Sequence, residues 1–255
     1  MIDRVIDLHA HILPGLDDGP ATEDEAVALA RAAVAAGTQA MATTSHVSHA
    51  HGLRPAQLST ARAALASRLE RENVPLELLQ GGEIAPDRLP SLTEDDLRAL
   101  TLGAGGYLLL ECPFSPAGGL DLMVDDLQRR GFGVLLAHPE RSPSFVRNVD
   151  LLATLVERGA LAQVTAASLT GAFGETVRRT AHTMLDRGLL HVLASDAHDA
   201  RHRPPDMRPA LDGPQAEWMT EAAPAAIVAG RPLPERPPRE RPRGIRGRLR
   251  AWSAR

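Results

Sequence analysis

Six apolar runs in this chain stop on a histidine or a carboxylate, and this recurrence restricts the fold more than any other feature. The first run leads into Asp7-Leu8-His9-Ala10-His11. The others are Met-Ala-Thr-Thr-Ser-His46, Leu-Glu-Leu-Leu-Gln-Gly-Gly-Glu83, Tyr-Leu-Leu-Leu-Glu111, Val-Leu-Leu-Ala-His138 and His-Val-Leu-Ala-Ser-Asp196-Ala-His198. Strands of parallel sheets are buried on both faces and read as continuous apolar runs, with functional residues at their C-terminal ends. A closed barrel would bring all six ends to one rim. Alternate side chains of a strand share a face, so His9 and His11 can point the same way. With Asp17-Asp18 following, they read as the opening of a metal site. Imidazole and carboxylate together suit Mn, Fe, Zn or Co better than Ca or Mg.

Strand-like and helix-like segments alternate, which argues for an α/β fold. Strands are expected at 4–9, 38–45, 76–80, 106–111, 133–137, 161–165 and 190–195, one fewer than the eight of the standard barrel. Helices are expected at 22–37, 55–72, 93–100, 121–130, 149–158 and 175–187, with a closing helix at 215–229. Thr22 and Glu25 have capping-box spacing before the first helix, and Gly37 ends it. A length of 255 residues fits one such domain. Aromatic content of 3% calls for an aliphatic, alanine-rich core. Residues 1–230 are read as the domain and 231–255 as a basic, Pro/Arg-rich tail, expected to be disordered.

That tail carries nine arginines against two glutamates, within a chain of net charge -4 and no lysine. The balance gives no general affinity for nucleic acid. Ile245, Leu249 and Trp252 recur at helical spacing in the tail and could touch a membrane, but a solvated tail is the favoured reading. The lone Cys112 cannot form an intrachain disulfide and fits a reducing compartment. Charged residues at 3, 4, 7 and 9 leave no apolar signal-peptide core, and no run approaches the ~20 residues of a membrane span. A cytoplasmic protein is expected, of undetermined oligomeric state.

The ordered set Asp-x-His-x-His, Ser-His, Gly-x-Glu, Leu-Glu, His-Pro-Glu-Arg and Ser-Asp-Ala-His resembles the PHP (polymerase and histidinol phosphatase) superfamily. Finer detail is similar to one branch, the manganese-dependent protein-tyrosine phosphatases of bacterial capsule and exopolysaccharide operons. It lies in Leu13-Pro14-Gly15-Leu16-Asp17-Asp18-Gly19, Thr44-Ser45-His46, Gly82-Glu83-Ile84, Leu110-Glu111, His138-Pro139-Glu140-Arg141, Ala167-Ser168-Leu169-Thr170-Gly171 and Ser195-Asp196-Ala197-His198. The likeness runs from Ile2 to Arg203. It implies a distorted (β/α)7 barrel with three divalent metals at the strands' C-terminal ends, Mn first, with Fe, Co or Zn as alternatives. The implied ligands are His9, His11, Asp18, His46, Glu83, Glu111, His138, Asp196 and His198. Asp18 fits the pattern better than Asp17. Arg141 and Arg203 match the phosphate-binding arginines, with Arg201 beside the second. The implied substrate is a phosphotyrosine protein, the tail of a kinase controlling polysaccharide export.

The chemistry of these residues agrees. Bound metal lowers the pKa of water towards ~7, and arginine offers phosphate a bidentate fork. A tyrosine phenolate, of pKa about 10, leaves without a strong general acid, and none stands out. A cysteine mechanism needs arginine six residues after the nucleophile, where Cys112 has Gly118. Asp7 is expected to support the first histidine, Glu140 to lie at the surface or behind a ligand, and Gly81-Gly82 to allow a simple turn. His49 and His51 could contact substrate; His182 and His191 read as ordinary polar residues. The alternatives are a small-molecule phosphatase of the same superfamily, such as a histidinol-phosphate or nucleotide phosphatase, and a non-catalytic barrel. The latter would show a lost ligand, and no position is missing.

Overall fold

A computed structural model describes residues 4–113 and 119–238. Its elements are β1 (Ile6–Ala10), α1 (Glu23–Ala35), β2 (Ala40–Thr43), β3 (His46–Val47), α2 (Pro55–Arg71), β4 (Glu77–Leu79), β5 (Glu83–Ile84), α3 (Glu94–Leu100), β6 (Tyr107–Glu111), α4 (Leu120–Arg129), β7 (Gly133–Ala137), α5 (Pro143–Arg147), α6 (Asp150–Glu157), β8 (Leu161–Thr165), α7 (Ala166–Thr170), α8 (Glu175–Asp186) and β9 (Val192–Ala194). The closing helix is three consecutive pieces, Gly213–Glu217, a π-helical Trp218–Ala222 and Ala223–Val228. Every ladder is parallel. One sheet runs β1-β2-β4 and the other β3-β5-β6-β7-β8-β9.

The seven expected strands are all present, but Glu83 and His46 sit on separate two-residue strands. Thr44 explains the break after β2. Its hydroxyl accepts the Ala10 N–H at 2.8 Å while its own N–H donates to Ala10 O at 3.0 Å. A side chain thus replaces a ladder partner, and the β1–β2 register shifts between Asp7 and Ala10. No continuous ladder joins β9 to β1 among the described residues. They meet through one bridge, Ala10 to Ala197, with Asp196 N–H donating to His9 O and His11 N–H to Ala197 O, both at 2.8 Å. The expected barrel is therefore a set of parallel strands in two sheets, with β1 and β9 linked by one bridge at their C-terminal ends.

Strand alternation builds two apolar clusters. Leu108, Leu110, Val134 and Leu136 pack with helix residues such as Leu29, Leu97, Val124 and Met184. Leu109, Leu135 and Ala137 point the other way and meet Ile6, Leu8, Ala42, Val192 and Ile227. The largest fully buried side chains are leucine, isoleucine and methionine, as the low aromatic content requires. The Thr22–Glu25 capping box starts α1 as expected.

Residues 231–238 carry no helix or strand, yet they are fastened to the domain. Trp218 Nε1 donates to Pro234 O at 3.2 Å, and Arg236 stacks over Trp218 while donating to the carbonyls of Gly188 and Leu190. Within residues 231–238, Pro234 and Arg236 are thus tied to an indole and to two main-chain carbonyls. Ile245, Leu249 and Trp252 lie outside the described residues. No helix among those described is long and apolar enough to cross a membrane.

Candidate metal centre

Because every ladder is parallel, the strands' C-terminal ends share one rim. His9 is on β1, His46 on β3, Glu83 on β5 and Glu111 on β6. His11, His138 and the Asp196–His198 pair follow β1, β7 and β9. Nine side chains from these ends and the Asp18 turn form four overlapping groups whose ligand atoms lie within 4.8 Å of one another. The groups are His11, Asp18, His46 and His198; His9, His11 and Asp196; His9, Glu83 and His138; and His46, Glu83 and Glu111. Among the described residues these groups contain all nine expected residues and no other.

The protons on the imidazoles are assigned by their neighbours. His9 Nδ1 donates to Gln163 Oε1 at 3.0 Å, and His11 Nδ1 donates to Asp17 Oδ2 at 2.8 Å. Both Nε2 atoms are thereby left as lone-pair donors. They face each other at 3.2 Å. Two lone pairs at that distance repel unless a cation sits between them: a proton in the metal-free protein, a metal ion otherwise. Glu83 Oε2 adds to this. It is buried with no hydrogen bond of good geometry, and is surrounded by His46 Nδ1 at 3.0 Å and by His9 Nε2 and His11 Nε2 at 3.4 Å each. The donor set fits a cation centre.

Electrostatics follow from that crowding. Burial alone would push His11 down, but Asp17 and Glu83 outweigh it and raise the imidazole to about 10. Burial raises Asp17, and the His11 hydrogen bond overrides it, leaving about 2. Glu83 and Asp196 likewise fall despite burial, because imidazoles surround both. Glu111 rises through burial and the neighbouring Glu83 charge. Metal-free protein therefore holds protons where cations would bind. A group whose folded pKa is raised stabilises the fold below its unfolded value, near 6.5 for His, and loses that contribution as pH climbs through the folded value. Metal-stripped protein should thus lose at least about 3 °C of Tm between pH 6.5 and 10, at ~2–4 °C per kcal/mol. Metal-loaded protein should not, since metal replaces those protons. Calorimetry with and without chelator checks this.

Two candidate ligands hold unusual backbone. His138 has φ 37° and Asp196 φ 53°, the left-handed region; the only other such non-glycine among the described residues is Asn73. Strain of this kind gathers at functional sites. The turn carrying Asp17 and Asp18 is packed just as tightly. A Cβ on Gly19 would stand 2.3 Å from the His11 carbonyl oxygen. Gly19→Ala should push this turn off His11 and weaken metal binding about 10–100-fold with the fold intact, as misplaced supporting groups do. A metal titration followed by circular dichroism tests both halves.

Arg141 and Arg203 reach the same rim. Arg141 Nη1 and Arg203 Nη2 donate to Asp196 Oδ2 at 2.5 and 2.6 Å. Arg201 is exposed. Asp17 is the partner of His11 Nδ1 and also accepts the His46 and Gly19 N–H groups, whereas Asp18 Oδ1 lies 3.2 Å from His198 Nε2. Asp7 does not touch the His9 ring; it accepts the His9 N–H and both donors of Ser195. Gln163, with no motif to mark it, supports the ring instead. Glu140 is not at the surface. It is fully buried and accepts Thr165 N–H and the Ser168 hydroxyl, tying the Arg141 turn to β8 and α7. His51 stacks on His46 at 5.3 Å. His182 bonds Leu169 O, and His191 accepts Ala162 N–H, so both are structural. Burial pushes the Cys112 thiol well up, which leaves it a poor nucleophile.

The profile described as capsular polysaccharide synthesis, CpsB/CapC, matches residues 5–223. Tyrosine-protein phosphatase YwqE of Bacillus subtilis (strain 168) is 37% identical over 206 residues, 78% of this chain and 79% of that protein. Putative tyrosine-protein phosphatase CapC of Staphylococcus aureus is 32% identical over 204 residues, with the same coverage of 78% and 79%. A solved structure from a study of YwqE from Bacillus subtilis and CpsB from Streptococcus pneumoniae, described there as unique metal-dependent tyrosine phosphatases, superposes with a TM-score of 0.82. It is 33% identical and covers 92% of this chain and 100% of its own.

Proposed function

Since the chain belongs to the CpsB/CapC family of capsular polysaccharide synthesis, we propose that it is a metal-dependent protein-tyrosine phosphatase. The observation that carries this is the pair of lone-pair nitrogens of His9 and His11, facing each other at 3.2 Å beside the buried Glu83. His9, His11, Asp18, His46, Glu83, Glu111, His138, Asp196 and His198 would hold the metal, which we assign as three manganese ions. Divalent cations bound there lower the pKa of water towards ~7 and neutralise phosphate oxygens.

The chain's own side chains do the remaining work. Gln163 and Asp17 keep protons on the Nδ1 atoms, so His9 and His11 present Nε2. Arg141 and Arg203 converge on Asp196 Oδ2, which brings to one place the planar fork by which a guanidinium grips a phosphate. The phenolate leaves at a pKa of about 10, so the site works without a dedicated general acid. We infer that residues 1–230 make the phosphatase unit, with 231–255 appended. Its substrate is the phosphorylated tail of a cytoplasmic-facing kinase that controls polysaccharide export, which places the enzyme in the cytoplasm.

Full-length protein loaded with Mn should hydrolyse a phosphotyrosyl peptide, lose activity with chelator and recover it on re-addition. Histidinol phosphate, assayed alongside, should turn over more slowly. Absence of turnover with any divalent metal would sink the phosphatase reading; faster turnover of histidinol phosphate would move the substrate to a small molecule.

A further inference from the structure

Both arginines of the site lean on one aromatic ring. The guanidinium carbon of Arg141 lies 4.6 Å from the centroid of Phe173, and that of Arg203 lies 6.0 Å from it. Arg141 arrives from the turn after β7, Arg203 from the loop after β9, and Phe173 from the bend between α7 and α8. Three separate stretches of chain therefore meet on this side chain. The sequence contains only four phenylalanines, and this one is half-buried rather than part of the apolar clusters.

The bend that presents the ring is built for it. Gly171 and Gly174 flank the segment with φ of 93° and 91°, a conformation that favours glycine. His182 Nε2 donates to Leu169 O at 3.2 Å and fixes α7 against α8. Glu140, next to Arg141 in sequence, grips the start of α7 through Thr165 and Ser168. The backbone that carries Arg141 and the backbone that carries Phe173 are thus clamped to each other by a buried carboxylate.

Two guanidiniums bonded to one carboxylate oxygen repel each other. An aromatic face carries negative quadrupole density and attracts a cation above it. We propose that Phe173 is a positioning residue. Its ring holds Arg141 and Arg203 side by side, so that their donors are already aligned when a phosphate arrives. The proposal rests on the reading of these arginines as the phosphate grip. It requires an aromatic side chain, because leucine fills similar space without the negative face.

The test uses full-length, Mn-loaded protein and the variants Phe173→Leu and Phe173→Tyr. Inorganic phosphate binding is measured by calorimetry, alongside KM and kcat for a phosphotyrosyl peptide, metal content and Tm. Phe173→Leu should weaken phosphate binding about three- to tenfold, the range of a partly desolvated cation–π contact. KM should rise by a similar factor, with metal content and Tm held. Phe173→Tyr should restore phosphate binding to within about twofold. The role is overturned if wild-type protein binds phosphate and Phe173→Leu binds it equally well. It is also overturned if Phe173→Tyr fails as badly as Phe173→Leu, or if the leucine variant loses metal. Wild-type protein that binds no phosphate would overturn both this role and the phosphate-grip reading beneath it.

Discussion

Glu83→Gln is expected to lower turnover of a phosphotyrosyl peptide by about a thousandfold, which corresponds to ~4 kcal/mol, and to strip metal from the protein. The carboxylate is fully buried and belongs to two of the four ligand groups. Oε1 lies 2.9 Å from His138 Nε2, while Oε2 faces His46, His9 and His11. Glutamine keeps the shape and removes the charge. It also aims an amide N–H at nitrogens that must offer lone pairs. Glu83 is among the groups that hold His9, His11 and His46 above the usual imidazole range; without it those values should fall. Metal analysis by mass spectrometry, run with kcat/KM, decides the matter. Full metal content and full activity in the variant would remove Glu83 from the centre.

Arg141→Ala and Arg203→Ala should behave differently. Each is expected to cost about 10²–10³ in kcat/KM, the usual effect of deleting one aimed donor, while metal content stays at the wild-type level. Both arginines bond the same oxygen, Asp196 Oδ2, so the double variant should lose less than the product of the single losses. Lysine should not restore either site, because an ammonium lacks the planar fork. Loss of metal in either single variant would assign that arginine to the architecture of the centre instead of to substrate.

Much of this site was legible because strand ends advertise themselves. An apolar run that stops on an imidazole or carboxylate marks both a strand and its functional end, and all nine residues picked out by that rule and the family likeness fall into the four groups. The residues that orient them left no such mark. Gln163 meets His9 from 154 positions away, and a single uncharged side chain inside β8 has no spacing partner to betray it. Phe173 is a lone aromatic in a bend. Asp17 and Asp18 are adjacent and chemically alike; only the path of the turn separates the one that orients His11 from the one that faces His198.

The fold shows the same division. The five-residue helices α5 and α7 were not expected, whereas the longer strands and helices followed from periodicity and caps. The short strands β3 and β5 did not, since two residues carry no period and the break after β2 depends on one hydroxyl at Thr44. Gly81-Gly82 suggested a turn, but neither takes a positive φ among the described residues. A Cβ at Gly82 would stand 2.6 Å from Leu100 Cδ2, so the glycine is there for room. The docking of residues 231–238 was hidden because proline and arginine read as solvated chain until an indole and two carbonyls are found beneath them.

The left-handed conformation of His138 and Asp196 changes how their variants should be chosen. Histidine, aspartate and asparagine tolerate that region better than most side chains. Alanine at 196 would take away the charge and the local backbone preference in one step, and any defect would mix the two. Asparagine at 196 isolates the electrostatic contribution, and glycine at 138 relaxes the main chain while deleting the ring. An alanine scan across this rim would therefore overstate how much of the loss belongs to chemistry.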